Sequence, residues 1–186
     1  MEAKKTFVME NYEKKPPFAG FLPGLSGIYG TPIWCYYVNR GQCISSFGVE
    51  DKDHAIIEFF PAHQAYQYTE QMGFRTFLKK DGKFLELFSS EDTTKKMNIK
   101  KNGLSIEELD ENEKLQCDID YFTLPNEKTG ALVRKIQITN QADTTVKIEL
   151  LDGLPAVIPY GVAMADLKEM GQTTQAWMQV EDLGKN

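Results

Sequence analysis

The 186-residue sequence predicts an all-β fold, an antiparallel β-sandwich, and three observations carry that prediction. Aromatic residues make up 11% of the chain and cluster with Val, Ile and Thr in short runs, which is the composition of strands. The dipeptides Asp81-Gly82 and Asn102-Gly103 divide such runs and favour the positive φ angles of type I′ hairpin turns. Later runs alternate apolar and polar residues with the period of a half-buried strand.

Taken in order, PIWCYYVN (32–39) and QCISSFGV (42–49) read as a hairpin around Arg40-Gly41, and HAIIEFF (54–60) reads as a buried strand. GFRTFLKK-DG-KFLELF and MNIKK-NG-LSIEEL should each fold back on themselves. Pairing the first about its turn sets Leu78 opposite Leu85 and Thr76 opposite Leu87, and gathers Arg75, Phe77, Phe84, Glu86 and Phe88 on the other face. Both faces carry bulk, so this sheet needs cover on both sides, from a second sheet or from another domain. KLQCDIDYFTL (114–124), ALVRKIQITN (131–140) and TTVKIELLDG (144–153) read as a meander. Helix is confined to single turns near Pro61–Gln71 and Ala163–Gly171. The irregular, apolar segment 15–31 is expected to pack on a surface or against a neighbouring domain. The length fits one domain spanning residues 1–186.

Net charge is −6, and only three of the 21 basic residues are arginines, Arg40, Arg75 and Arg134. That balance argues against nucleic acid and anionic membrane as partners. The N-terminus has no hydrophobic h-region, and the apolar runs are short, so a cytoplasmic, membrane-free location is expected. Cys35, Cys43 and Cys117 lack C-x-x-C spacing and read as three buried or half-buried free thiols. A two-residue loop at Arg40-Gly41 would point Cys35 and Cys43 to opposite faces.

The chemistry-bearing residues form no catalytic constellation. Gly20, Gly24, Gly27 and Gly30 do not follow G-x-G-x-x-G spacing, and Pro23 and Pro32 stand where a phosphate-binding helix would begin. His54 and His63 lack metal-ligand spacing, so no metal site is expected. Ser26, Ser45 and Ser46 lack the nucleophile elbow that a triad with His63 and Asp118 would need. Asp118 and Asp120 share one face of a strand, and paired carboxylates are what glycosidic chemistry uses, but these two are expected to face solvent or Arg134. Arg134 shares its parity with Leu132, Ile136 and Ile138, which makes it a charge drawn toward the core and in need of a partner. Arg40 and Gln42 read as an exposed polar tip, and Arg75 as stacking on Phe77 and Phe88 or pairing with Glu86.

The stretches FAGFLPGLSGIYGTPIWCYYVNRGQCISSFGVEDKDHAIIEFFPAHQAYQYTEQMGFRTFLK, DYFTLPNEKTGALVRKIQITN and KIELLDGLPAVIPYGV resemble the N-terminal region of the cellobiose phosphorylase family, glycoside hydrolase family 94. They are most similar to its 1,2-β-oligoglucan phosphorylases. The likeness runs from about Asn11 to Val180, with NRGQ, EFFPA, GFRTF, YFTLPNE and LDGL in that order. It implies a supersandwich of the galactose-mutarotase type, incomplete at EDLGKN, that precedes a helical linker and a catalytic (α/α)₆ barrel. It further implies inverting phosphorolysis of β-glucosidic bonds, those of β-1,2-glucooligosaccharides, with phosphate as nucleophile and α-glucose 1-phosphate as product. No metal or organic cofactor takes part in such a reaction, and the general acid would lie beyond Asn186 in the barrel. The resemblance implies a homodimer in which the loop Phe18 to Pro32, the tip Asn39 to Gln42 and the segment Pro61 to Arg75 approach oligosaccharide. Within them Arg40, Gln42, Tyr66, Gln67 and Arg75 are the candidate substrate-binding residues. A stand-alone carbohydrate-binding or oligomerisation module is the alternative. A mutarotase-like enzyme would instead require His54, His63 and a glutamate to converge in one cleft.

Overall fold

The computed structural model describes residues 6–22 and 24–177, so Pro23 and the closing EDLGKN lie outside the described residues. Alternation sets the first sheet, which runs in the order β1 (Phe7–Glu10), β9 (Thr94–Lys100), β10 (Gly103–Asp110), β11 (Leu115–Thr123) and β12 (Leu132–Asn140). In β11, Leu115, Cys117, Ile119 and Tyr121 point inward, while Gln116, Asp118 and Asp120 are partly exposed on the other face. Antiparallel register carries that parity across the sheet, so Met97, Ile106, Ile119 and Ile136 form one inward row and Ile99, Leu104, Tyr121 and Arg134 form the next.

Facing this layer is a sheet ordered β2 (Ala19–Leu22), β4 (Thr31–Val38), β5 (Ile44–Val49) and β6 (Ala55–Ile57), with β3 (Leu25–Ser26) paired to the start of β4. Its inward residues Leu22, Ile33, Cys35, Tyr37, Ile44, Phe47 and Ile57 join the first sheet's rows in one core. A third sheet, β13 (Ile148–Gly153), β7 (Arg75–Lys80) and β8 (Lys83–Glu86), adds Leu78 to that core. The all-β antiparallel sandwich expected from sequence is the observed fold.

The Asp81-Gly82 hairpin forms as expected: Leu78 pairs with Leu85, and the Leu87 amide donates to the Thr76 carbonyl. Asp81 and Gly82 have φ of 48° and 91°, the left-handed conformation that the dipeptide favours. Gly82→Ala is therefore expected to cost about 1 kcal/mol, read as a fall of roughly 2–4 °C in melting temperature. The other face of this sheet, bearing Phe84 and Leu151, stays open to solvent at 77% and 70% exposure.

Four expectations need correction. Lys101 and Asn102, not Asn102 and Gly103, form the turn between β9 and β10, and neither Asn102 nor Gly103 has positive φ. An Asn-Gly loop would have placed Glu108 opposite Met97. The observed register places Glu108 opposite Lys95 and Met97 opposite Ile106, so charge meets charge and apolar meets apolar. Second, β13 does not continue the meander beside β12 but crosses to β7, where Lys79 meets Glu149 at 3.3 Å and the Thr76 hydroxyl donates to Asp152 at 2.6 Å.

Third, the loop between β4 and β5 spans Asn39 to Gln42, and Cys43 follows it with φ 72°. That left-handed residue re-aims the chain, so Cys35 and Cys43 both enter the core instead of facing apart, and Gln42 is buried at 3% exposure instead of lying at an exposed tip. All three cysteines are free and buried, and burial pushes the Cys35 and Cys117 thiols up to about 12. Fourth, the two expected single turns are full helices, α1 (Ala62–Met72) and α2 (Met164–Trp177). Pro61 and Gly73 bracket α1, and only Ala65 and Thr69, one turn apart, are buried within it, too narrow a stripe to announce itself in sequence. The α2 N-terminus is capped by Asp53, whose Oδ1 accepts from the Met164 amide at 2.9 Å. Within the irregular segment 15–31, β2 and β3 are ordered strands.

Candidate functional site

One cleft of about 640 Å³ opens where the third sheet, the β4–β5 loop and α1 meet a 3₁₀ turn at Tyr12–Lys14. Its base is built by the buried Tyr12, whose hydroxyl donates to the Gly41 carbonyl at 2.5 Å. Asn39 fixes that turn from across the loop: its Nδ2 donates to the carbonyls of Tyr12 (2.8 Å) and Pro16 (3.0 Å), and its Oδ1 accepts from the Phe18 amide. Gly41 has φ 49°, and a side chain there would press on the Glu70 backbone at 3.2 Å, so glycine lets α1 close over the loop.

Arg40 lies 5.6 Å from the Tyr66 ring centroid and donates to the Asn39 carbonyl at 2.7 Å. Gln42 is held from below by the Tyr121 hydroxyl, which donates to its carbonyl at 2.9 Å, and by Thr76 and Arg134 at its amide. Arg75 grips Glu86 with two hydrogen bonds, Nε to Oε1 at 2.7 Å and Nη2 to Oε2 at 2.9 Å, while its guanidinium lies 4.8 Å from the Phe77 ring. The far wall is the β8–β9 loop. Glu108 holds it, accepting from the Phe88 amide at 2.6 Å and the Thr93 hydroxyl at 2.7 Å.

Lys95 completes the floor. Its side chain is almost wholly buried, with Nζ donating to the Ser90 carbonyl at 2.6 Å and 3.5 Å from Glu13 Oε1, while the buried Glu13 Oε2 has no partner among the described residues. The cleft thus mixes cations, carboxylates and the rings of Tyr12, Phe74 and Phe88. Its arginines and Lys95 already have acceptors, which suits a neutral, hydroxyl-rich ligand better than a free anion.

In comparisons with known proteins, no family model and no curated protein matches the chain.

Three of the five substrate-binding candidates, Arg40, Gln42 and Arg75, line this one cleft, and Tyr66 adjoins it through Arg40. Gln67 stands exposed on α1 and is not among the lining residues. Sequence reading missed Tyr12, Glu13 and Lys95. A signal for Lys95 was present, since it shares strand parity with Met97 and Ile99 and so belongs to the inward face.

The other chemistry-bearing residues have local duties. Ser26 Oγ donates to the Leu124 carbonyl and accepts from the Ala131 amide; Ser45 and Ser46 donate to the carbonyls of Tyr36 and Glu58. Asp118 accepts from Gln116, and Asp120 lies 3.8 Å from Lys100 on the outer face, so Arg134 takes Asp152 as its partner instead. His54 hydrogen-bonds Asp51 and stacks on Tyr160 at 4.5 Å, while His63 is exposed on α1. Among the described residues, no cluster of three or more metal-ligating side chains forms, and no helix is long and apolar enough to cross a membrane.

Proposed function

We propose that this chain is a non-catalytic β-sandwich domain of an inverting glycoside phosphorylase, one that cleaves the β-glucosidic bonds of β-1,2-glucooligosaccharides with phosphate to give α-glucose 1-phosphate. In this reading the general acid and the phosphate site belong to a helical-barrel domain of the same enzyme, which acts in the cytoplasm as a homodimer. The sandwich contributes a wall of polar groups to oligosaccharide binding. The observation that carries the reading is convergence: Arg40 and Gln42 of the NRGQ motif and Arg75 of the GFRTF motif, two separate points of one family-like stretch, line one cleft with an aromatic floor. The open face bearing Phe84 and Leu151 supports it too, since that face awaits cover from a neighbouring domain or subunit.

The decisive experiment incubates a form of the protein that includes the barrel with sophorose oligomers and phosphate, and assays glucose 1-phosphate. Absence of that product would sink the substrate assignment. Arg75→Ala in that form is expected to lower kcat/KM about tenfold or more, chiefly through KM, because it frees Glu86 and removes a fixed planar donor without touching the reacting bond. The present chain alone is expected to leave the anomer exchange of glucose unaccelerated, and acceleration would favour a mutarotase-like enzyme instead.

A further inference from the structure

A second concavity, of about 590 Å³, lies on the outward face of the β2–β4–β5 sheet and shares no lining residue with the polar cleft. Register explains it. Phe21 pairs with Tyr36, and Trp34 shares the Tyr36 parity, so three rings stand side by side on the face turned away from the core. Their centroids lie 6.4 Å (Trp34 to Phe21) and 5.2 Å (Phe21 to Tyr36) apart, and Phe59 continues the row 6.0 Å beyond Tyr36. Gly48, opposite Trp34, leaves room for this arrangement, since a side chain there would meet the Phe59 ring at 3.0 Å.

Phe21, Trp34 and Tyr36 remain 44%, 41% and 39% exposed. The serine hydroxyls in the floor point to backbone carbonyls, and Trp34 Nε1 donates to the Glu50 carbonyl at 2.9 Å. What the groove offers is therefore a row of exposed aromatic rings, tilted by 56–88° from one to the next, over a floor whose serine hydroxyls are engaged, with Lys52 at its rim. Size decides the class of occupant. Three rings exposed by about two-fifths present on the order of 250 Å², roughly a third of the ~800 Å² that each partner gives to a stable protein interface. The volume falls within the range of about 300–1,000 Å³ typical of small-ligand sites. A row of rings suits a ligand of repeating flat units with apolar faces and polar edges, and a pyranose chain has that form.

We propose that this groove is a second carbohydrate site, which holds a short linear β-gluco-oligosaccharide by stacking pyranose faces on Phe21, Trp34 and Tyr36. The site stands independently of the polar cleft and of any phosphorylase activity. Trp34 and Trp177 are the two tryptophans of the chain, so Trp177→Phe leaves Trp34 as the sole reporter. Titrating that variant with β-linked glucose di- to hexasaccharides is expected to change Trp34 emission saturably, with affinity rising with chain length. Phe21→Ala and Tyr36→Ala should each weaken binding about tenfold while the circular-dichroism melt stays cooperative. Arg75→Ala, which alters the polar cleft, should leave this binding unchanged, so failure here and failure of the phosphorylase reading are separable. No saturable response would overturn the proposal, as would binding that survives both ring deletions or Trp34 emission that tracks protein concentration through self-association.

Discussion

Replacing Arg134 with methionine is expected to destabilise the chain by about 3–5 kcal/mol and to lower its melting temperature by roughly 10 °C. The side chain is 7% exposed and lies where strands of the first and third sheets meet the β4–β5 loop. Its Nη1 donates to Asp152 Oδ2 at 2.5 Å, Nη2 to Thr76 Oγ1 at 2.9 Å and to Gln42 Oε1, and Nε to the Tyr121 hydroxyl at 3.2 Å. The guanidinium also lies 4.8 Å from the Phe74 ring centroid. Methionine would fill much of the volume but leave the Asp152 carboxylate without its counter-ion and the Gln42 amide oxygen without its charged donor, and an underpartnered buried polar group costs more than the bond it lost.

Two companion variants separate the causes. Arg134→Met with Asp152→Leu removes both charges and should recover most of the loss, because a buried pair replaced together by apolar groups is often near neutral. Arg134→Lys should recover little, since one ammonium cannot reproduce a planar fork that reaches acceptors on three strands and a loop. Denaturant unfolding is the measurement, and an Arg134→Met midpoint equal to that of the unsubstituted chain would show that this network does not join the sheets.

Arg134 also shows how far sequence reading reaches. Parity alone placed it toward the core and in need of a partner, because a strand's faces are set by residues two apart. Its partners could not be read, since Gln42 is 92 positions away and Asp152 arrives on a strand that changes sheets. The same distance hid the α2 cap, where Asp53 serves a helix 111 residues later. The Asp81-Gly82 hairpin was legible because its turn chemistry and its cross-strand pairs agree. At Asn102-Gly103 they disagree, and the pairing of Glu108 with Lys95 prevailed. For the cleft, Arg40 and Arg75 were visible as rare arginines among aromatic residues. Tyr12 and Glu13, in a charged N-terminal stretch of weak periodicity, could be assigned to the site only once the β4–β5 loop had folded over them.

Glu108→Ala is expected to cost about 2–4 kcal/mol, because it orphans the Phe88 amide and the Thr93 hydroxyl and leaves the charge of Lys95 underbalanced. Phe88 is held at φ 62°, a conformation that a bulky residue keeps only when its surroundings impose it. Release of that hold should loosen the β8–β9 loop and, with it, the wall of the polar cleft. Glu108→Gln preserves the shape and isolates the charge. Burial raises the Glu108 pKa above the usual glutamate range, outweighing the opposing pull of the Phe88 and Thr93 hydrogen bonds and of Lys95. The native state therefore binds this proton more readily than the unfolded chain. Stability contributed by Glu108 is greatest below the usual glutamate range, and falls as pH rises through its elevated value. The stability of the unsubstituted chain minus that of Glu108→Gln, followed by denaturant unfolding from about pH 4 to about pH 8, should accordingly decline with rising pH and then level off. A difference that grew with pH would mean that Lys95 and the two hydrogen bonds, not burial, govern this carboxyl.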